Sequence, residues 1–137
     1  MLFDQKILLA VQKWRRPLLN KLFLFLTYSG TAKAWLAGTA AKKLIPRNRP
    51  SEAIFGYARV IESPTCGSFP SSHTAAAVAF YSALQFISHP LASFVGVWAL
   101  LVSFSRLYLG VHYLTDIIGG AVLGTIIAII FIWFVFL

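Results

Sequence analysis

Long apolar runs alternate along this chain with short clusters of charge, and the runs have the length of membrane spans. Ile117 to Leu137 is the clearest, 21 residues without a charge, enough to cross a hydrocarbon core once. Trp133 near its end suits an interfacial anchor. Leu91 to Leu109 and Thr74 to about Phe86 are two more apolar runs, joined by the tight turn Ser88-His89-Pro90. Leu22 to Ala41 is a fourth, 20 residues rich in Leu, Phe and Ala, with Lys33 as its only charge. Gly30, Lys33 and Gly38 leave a re-entrant or buried placement open for it. Met1 to Asn20 is too polar to span. There Phe3, Ile7, Ala10 and Trp14 recur at helical spacing, with Lys6, Lys13, Arg15 and Arg16 largely elsewhere. That pattern predicts an amphipathic helix in the head-group layer, ending near Pro17. It lacks the unbroken apolar stretch and the small-residue cleavage site of a signal peptide.

The pattern thus predicts an all-α, polytopic transmembrane helix bundle of about four spans, forming a single domain over residues 1–137, with an interfacial helix over 1–20. Composition agrees. With 58% hydrophobic and 12% charged residues, a soluble domain of this length could not hide its apolar surface, whereas a bilayer removes the need. The formal net charge of +8 suits anionic head groups or phosphorylated substrates. Nucleic acid is disfavoured, because the basic residues are interleaved with spanning sequence and form no continuous stripe. Cys66 is the single cysteine, so no internal disulfide can form.

The polar clusters are the candidate chemistry. Lys42 to Pro70 reads as a long extramembrane loop with a short helix from Ser51 to Val60. Lys42, Lys43, Arg47 and Arg49 crowd into eight residues, which calls for an anion nearby, although such a run also reads as a lipid-facing patch. Ser71 and Ser72 stand where an N-cap belongs, with His73 beside the outward-pointing N–H groups: an anion cradle, or only a cap. Arg106, His112 and Asp116 lie in some of the most apolar sequence, where an ionisable group needs a reason to be. His112 and Asp116, four apart, would share one helix face, so the carboxylate can hold one imidazole nitrogen and leave the other as base or nucleophile. Gly110 lets the backbone turn and bring Arg106 to the same point. A structural alternative has Arg106 snorkelling, His112 capping a carbonyl and Asp116 as an N-cap. One helix leaves the His73 end and the next returns to it, so the clusters share a membrane face. His89 falls on the other.

Together the clusters supply what phosphoryl transfer requires: cations for the equatorial oxygens, a nucleophile and an acid for the leaving oxygen. Asp4, Glu52, Glu62 and Asp116 are scattered, so no carboxylate cluster is available for a metal, and no cofactor is called for.

The chain closely resembles the type 2 phosphatidic acid phosphatase family, whose members share an active-site plan with vanadium haloperoxidases. The resemblance is carried by Lys42 with six residues before Arg49-Pro50, then Pro70-Ser71-Ser72-His73, then Ser105-Arg106 with five residues before His112 and three more before Asp116. It implies active-site segments at 42–73 and 105–116. It makes His112 a nucleophile forming a phosphohistidine, with Asp116 orienting it and His73 protonating the leaving group and later activating water. Lys42, Arg49, Ser71, Arg106 and the N–H of Ser72 would hold the phosphate. Serine stands at Ser72 where the family often has glycine. Family members usually carry more spans ahead of the first signature, often six in all, whereas 20 residues lie here between Lys21 and Lys42. A homodimer would replace the missing helix contacts.

The resemblance implies a metal-independent phosphatase of the cytoplasmic (inner) membrane, acting on a lipid phosphate or diphosphate of the undecaprenyl diphosphate, phosphatidylglycerol phosphate or phosphatidic acid type. Four spans and the basic N-terminal helix put both termini in the cytoplasm and the site on the outer face. The alternatives are a non-catalytic lipid-phosphate binder, which would need only the cations, and a vanadate-dependent haloperoxidase, which a short membrane-embedded chain disfavours.

Overall fold

The structure, a computed structural model, describes residues 2–17, 20–21, 23, 42, 45–54, 60 and 67–136. Among these the regular elements are all helices: α1 (Leu2–Gln12), α2 (Pro50–Ala53), α3 (Ser72–Phe86), α4 (Ala92–Tyr108) and α5 (Leu114–Phe136). Apart from Phe23, the predicted span Leu22–Ala41 lies outside the described residues, as does the thiol of Cys66.

Helix α3 begins where the sequence predicts. Ser71 is the N-cap and its Oγ accepts from the Thr74 N–H, satisfying one of the orphan donors of a helix start. The α3–α4 turn contains Ser88 at φ 50°, and His89 Nδ1 accepts from the Leu91 N–H. His89 therefore closes the turn.

Helices α3 and α5 touch backbone to backbone. Gly120 and Gly124, four apart on α5, face the first turns of α3: a Cβ at Gly120 would lie 2.5 Å from the Ser71 carbonyl oxygen, and one at Gly124 would meet the Ala75 carbonyl oxygen. Small residues at this spacing allow the close approach that packs helices where solvent drives nothing together. Gly124→Ala should force the helices apart, at a cost of about 1–3 kcal/mol. Thermal unfolding in detergent would measure it, and an unchanged midpoint would remove this account of the seam.

Helix α4 packs on α3 through Ala77, Ala99 and Val102, with Tyr81 and Trp98 flanking. Its other face carries exposed Phe94, Val97 and Leu100, as α5 carries Ile126, Ile130 and Phe134. Apolar side chains arrayed outward on neighbouring helices suit a bilayer. Within α5, Leu114–Phe134 is long and apolar enough to cross one. This run starts three residues before the predicted Ile117, because Thr115 and Asp116 belong to its first turn.

Two predicted details need correction. Helix α1 ends at Gln12 and not near Pro17, because the chain turns so that Arg15 Nε can donate to the Tyr108 carbonyl and the Arg16 N–H to the Tyr108 hydroxyl. The first of those bonds satisfies a carbonyl at the C-terminal end of α4. Helix α1 also carries a stripe that the sequence reading left out, Asp4, Leu8 and Val11, buried against Leu107, Leu109, Val111 and Tyr113; Phe3 and Trp14 of the predicted head-group stripe are exposed. Finally, the loop helix starting at Pro50 stops at Ala53, where Ile54 is already extended.

Candidate active site

Three helix ends meet at one place: the start of α3, the end of α4 and the start of α5. The Ser71 N–H donates to the Asp116 carbonyl at 2.9 Å, which locks the two helix starts together. Gly110, at φ 79°, turns the chain out of α4, a conformation glycine adopts without the penalty a Cβ brings. His112 follows in that turn. It is not on a helix face shared with Asp116, as the spacing predicts; the carboxylate reaches back to it from the first turn of α5.

Asp116 is fully buried and uses both oxygens. Oδ2 accepts from the Tyr113 N–H at 2.9 Å and lies 3.5 Å from His112 Nδ1. Oδ1 accepts from Arg47 at 2.7 Å. Asp116 is thus not the N-cap of the structural alternative: from the third position of α5 the same carboxylate accepts from the Tyr113 N–H and faces the imidazole. The imidazole contact is long for a hydrogen bond, a common state for a catalytic pair before substrate tightens it. His112 is 2% exposed. Burial pushes its imidazole down to about 4, Asp116 opposes the shift, and the Arg106 and Arg49 charges add to it. The ring is thus neutral at physiological pH, with Nε2 left for chemistry.

The remaining predicted residues converge. Arg106, His112, Lys42 and Arg49 all lie within Coulombic reach of His73. Arg49 and Arg106 are buried, at 2% and 4% exposure, and Lys42 is half-buried. Ser71 and Ser72 are buried at the cap of α3. The loop before α2 is fixed from several sides, which is how it can aim its cations. Arg49 donates to the Val111 carbonyl at 3.0 Å, its N–H donates to Glu52, and the Ser68 N–H donates to the Arg47 carbonyl. Charge of one sign gathered at two helix N-termini is complementary to a tetrahedral oxyanion.

The pattern of the PAP2 superfamily matches residues 20–137. The chain belongs to that superfamily. An undecaprenyl-diphosphatase of Bacillus subtilis is 37% identical over 67 residues, 49% of this chain and 35% of that one. Phosphatidylglycerophosphatase B of the same organism is 34% identical over 115 residues, 76% of this chain and 53% of that one. The crystal structure of a transmembrane PAP2 type phosphatidylglycerolphosphate phosphatase from Bacillus subtilis aligns with a TM-score of 0.79 at 26% identity, covering 96% of this chain and 83% of that one. This PAP2 chain thus spans less than two thirds of the length of the curated relatives it matches.

Sequence reasoning on this PAP2 chain left out a second layer around Asp116. Arg47 donates to Asp116, to Thr115 Oγ1 at 2.6 Å and to Asp4 Oδ2 at 2.9 Å, and its guanidinium carbon sits 4.1 Å from the centre of the Tyr113 ring. Asp4 also accepts from the Thr115 hydroxyl at 2.7 Å. A signal was present: Asp4 shares a helical stripe with Leu8 and Val11, and an acid on an apolar stripe requires a buried partner.

Proposed function

We propose that the protein is an integral-membrane phosphatase that hydrolyses a lipid phosphate or diphosphate through a phosphohistidine on His112. The observation that carries this reading is the convergence of a neutral, carboxylate-backed imidazole and a second imidazole on three cations at two helix starts. An anion binder would need only the cations. Membership of a superfamily whose members include named lipid phosphatases supports it.

In the first step His112 Nε2 attacks phosphorus, forming a P–N bond as the P–O bond to the leaving oxygen breaks. His73 delivers a proton to that oxygen, and the bound phosphate's own charge favours the protonated His73 that this requires. In the second step water attacks phosphorus, His73 takes its proton, the P–N bond breaks and inorganic phosphate leaves. Lys42, Arg49, Arg106, the Ser71 hydroxyl and the Ser72 N–H hold the equatorial oxygens and neutralise charge developing there. These groups supply the neutralisation a metal provides in other phosphatases, so the reaction is metal-independent. The lipid tail lies in an apolar groove of about 350 Å³ that begins beside the cradle, walled by Ile45, Phe69, Pro70, Gly119, Val122 and Ile126. The bundle crosses the inner membrane four times, with α1 at the interface, the site on the outer face and a homodimer as its assembly.

Purified protein in detergent, given undecaprenyl diphosphate, phosphatidylglycerol phosphate and phosphatidic acid in turn with chelator present, should release inorganic phosphate from at least one. Tight binding of all three without release would replace the enzyme by the binder.

A further inference from the structure

The reaction as proposed gives no task to Arg47, nor to α1, yet Arg47 bonds its carboxylate and Asp4 of α1 bonds Arg47. Asp116 is a buried anion whose Oδ2 is committed to the Tyr113 N–H and the His112 ring. Its Oδ1 is satisfied by Arg47 at 2.7 Å. A buried carboxylate with one oxygen unsatisfied would protonate or rotate toward another donor, and either event would cost His112 its partner. Arg47 in turn is not left to choose its own position. Its side chain is a quarter exposed, and a long flexible stem in that setting has many rotamers. Asp4 takes one arm of the fork, Thr115 Oγ1 and Asp116 take the other, and the Tyr113 ring lies against its face. The Thr115 hydroxyl and N–H both donate to Asp4, so the first turn of α5 and the second layer share a single hydrogen-bonded ring.

The charges follow the geometry. Burial would push the Asp4 carboxyl up, but bonds from Thr115 and Arg47 outweigh it and hold Asp4 below the usual carboxylate range. Burial likewise opposes the Arg47 charge, and bonds to Asp4 and Asp116 hold its pKa above the ordinary value. Both stay ionised through neutral pH. Asp4, Arg47 and Asp116 together then carry one net negative charge, which is the sign a cationic imidazole or phosphohistidine requires beside it.

We propose that Arg47, clamped by Asp4 of α1, is a positioning residue that holds Asp116 in the orientation facing His112. Helix α1 is on this view a working wall of the reaction centre and not only an anchor. The inference rests on the phosphohistidine reading given above and adds two residues to it.

A purely structural staple between α1 and the loop would predict loss of stability alone, so the test reads something else. Arg47→Met keeps the stem and removes the fork; Asp4→Asn keeps the shape and removes the charge that clamps it. Loss of a hydrogen-bonded partner behind a functional side chain typically lowers activity about 10–100-fold. Arg47→Met should therefore lower kcat by about that factor with KM nearly unchanged, and Asp4→Asn should do the same to a smaller extent. Arg47→Lys should not restore kcat, because one ammonium cannot span Asp4, Thr115 and Asp116 together.

His112 should also titrate differently. It is faced by Arg106 from α4, Arg49 from the loop and His73 from α3, besides Asp116, and none of these changes in the variants. With Arg47 gone, Asp116 protonates or turns away, and His112 loses the carboxylate that opposes the depression of its pKa. The His112 titration, followed by NMR on nitrogen-labelled imidazole, should then fall below its wild-type value of about 4 in Arg47→Met. Unchanged kcat together with an unchanged His112 titration in both variants would overturn the positioning role. The NMR arm needs no turnover, so a wild-type protein inactive on every lipid phosphate would remove the phosphatase reading and leave this contact still decided. If Arg47→Met does not fold, Asp4→Asn alone decides.

Discussion

His112→Ala should abolish phosphate release, with a loss on the order of ten-thousand-fold or more, while the protein still unfolds at nearly the wild-type temperature. The expectation follows from the place of the ring. His112 lies in the turn between α4 and α5, where the neighbouring backbone is held by Gly110 and by the Tyr113–Asp116 bond, so removing the imidazole does not release the turn. Radiolabel from a phosphate-labelled lipid should stay on wild-type protein quenched in base and be absent from the variant. Turnover within tenfold of wild type would exclude His112 as nucleophile. The same ring sets a pH limit. Its pKa in the free protein lies near 4, depressed mainly by burial, so the nucleophile is neutral above that value and protonated below it. The acid limb of kcat/KM should accordingly fall near pH 4, well under the value of an ordinary histidine. A limb at about 6.5 would mean that water reaches the ring far more freely than its burial indicates.

Asp116→Asn carries the second largest effect, on the order of a thousand- to ten-thousand-fold in kcat, by analogy with neutralising the carboxylate of a hydrolytic triad. The amide keeps the shape but brings two changes that act together. It cannot stabilise the positive charge that His112 acquires on bonding to phosphorus. It also presents an N–H₂ group either to Arg47 or to the His112 and Tyr113 side, where every neighbour at present donates or needs an acceptor. Phosphate binding, supported mainly by Lys42, Arg49 and Arg106, should persist, so kcat should fall far more than KM rises. Equal losses in both would assign Asp116 to binding and not to chemistry.

The clustering of the polar residues was legible because membrane sequence makes them conspicuous. Each of Arg106, His112 and Asp116 interrupts an apolar run, and the parity of two consecutive helices was enough to expect His73 on the same face. What escaped the sequence was any contact whose partners are far apart along the chain. Asp4 reaches the Asp116 carboxylate through Arg47, and no local period announces a bond across 69 or 43 residues. Arg47 was visible merely as one of four crowded cations. The docking stripe of α1 went unread for a related reason. The helix carries apolar residues on two stripes, and composition cannot tell which one meets protein and which one meets lipid. The spacing of His112 and Asp116 gave the right pair by the wrong geometry, because a turn closed by Gly110 brings them together where a helix was expected.

The ring formed by Asp4, Arg47 and Thr115 also bears on how the protein should be handled. Asp4 stands two residues from the start of α1, so an affinity tag or fusion joined there would pull on a group three contacts removed from the imidazole of His112. The far end of α5 is 23 residues away, about 34 Å along the helix axis. A purification handle belongs at that end, where its drag on the chain is spent in the lipid-facing aromatic residues Trp133 and Phe134.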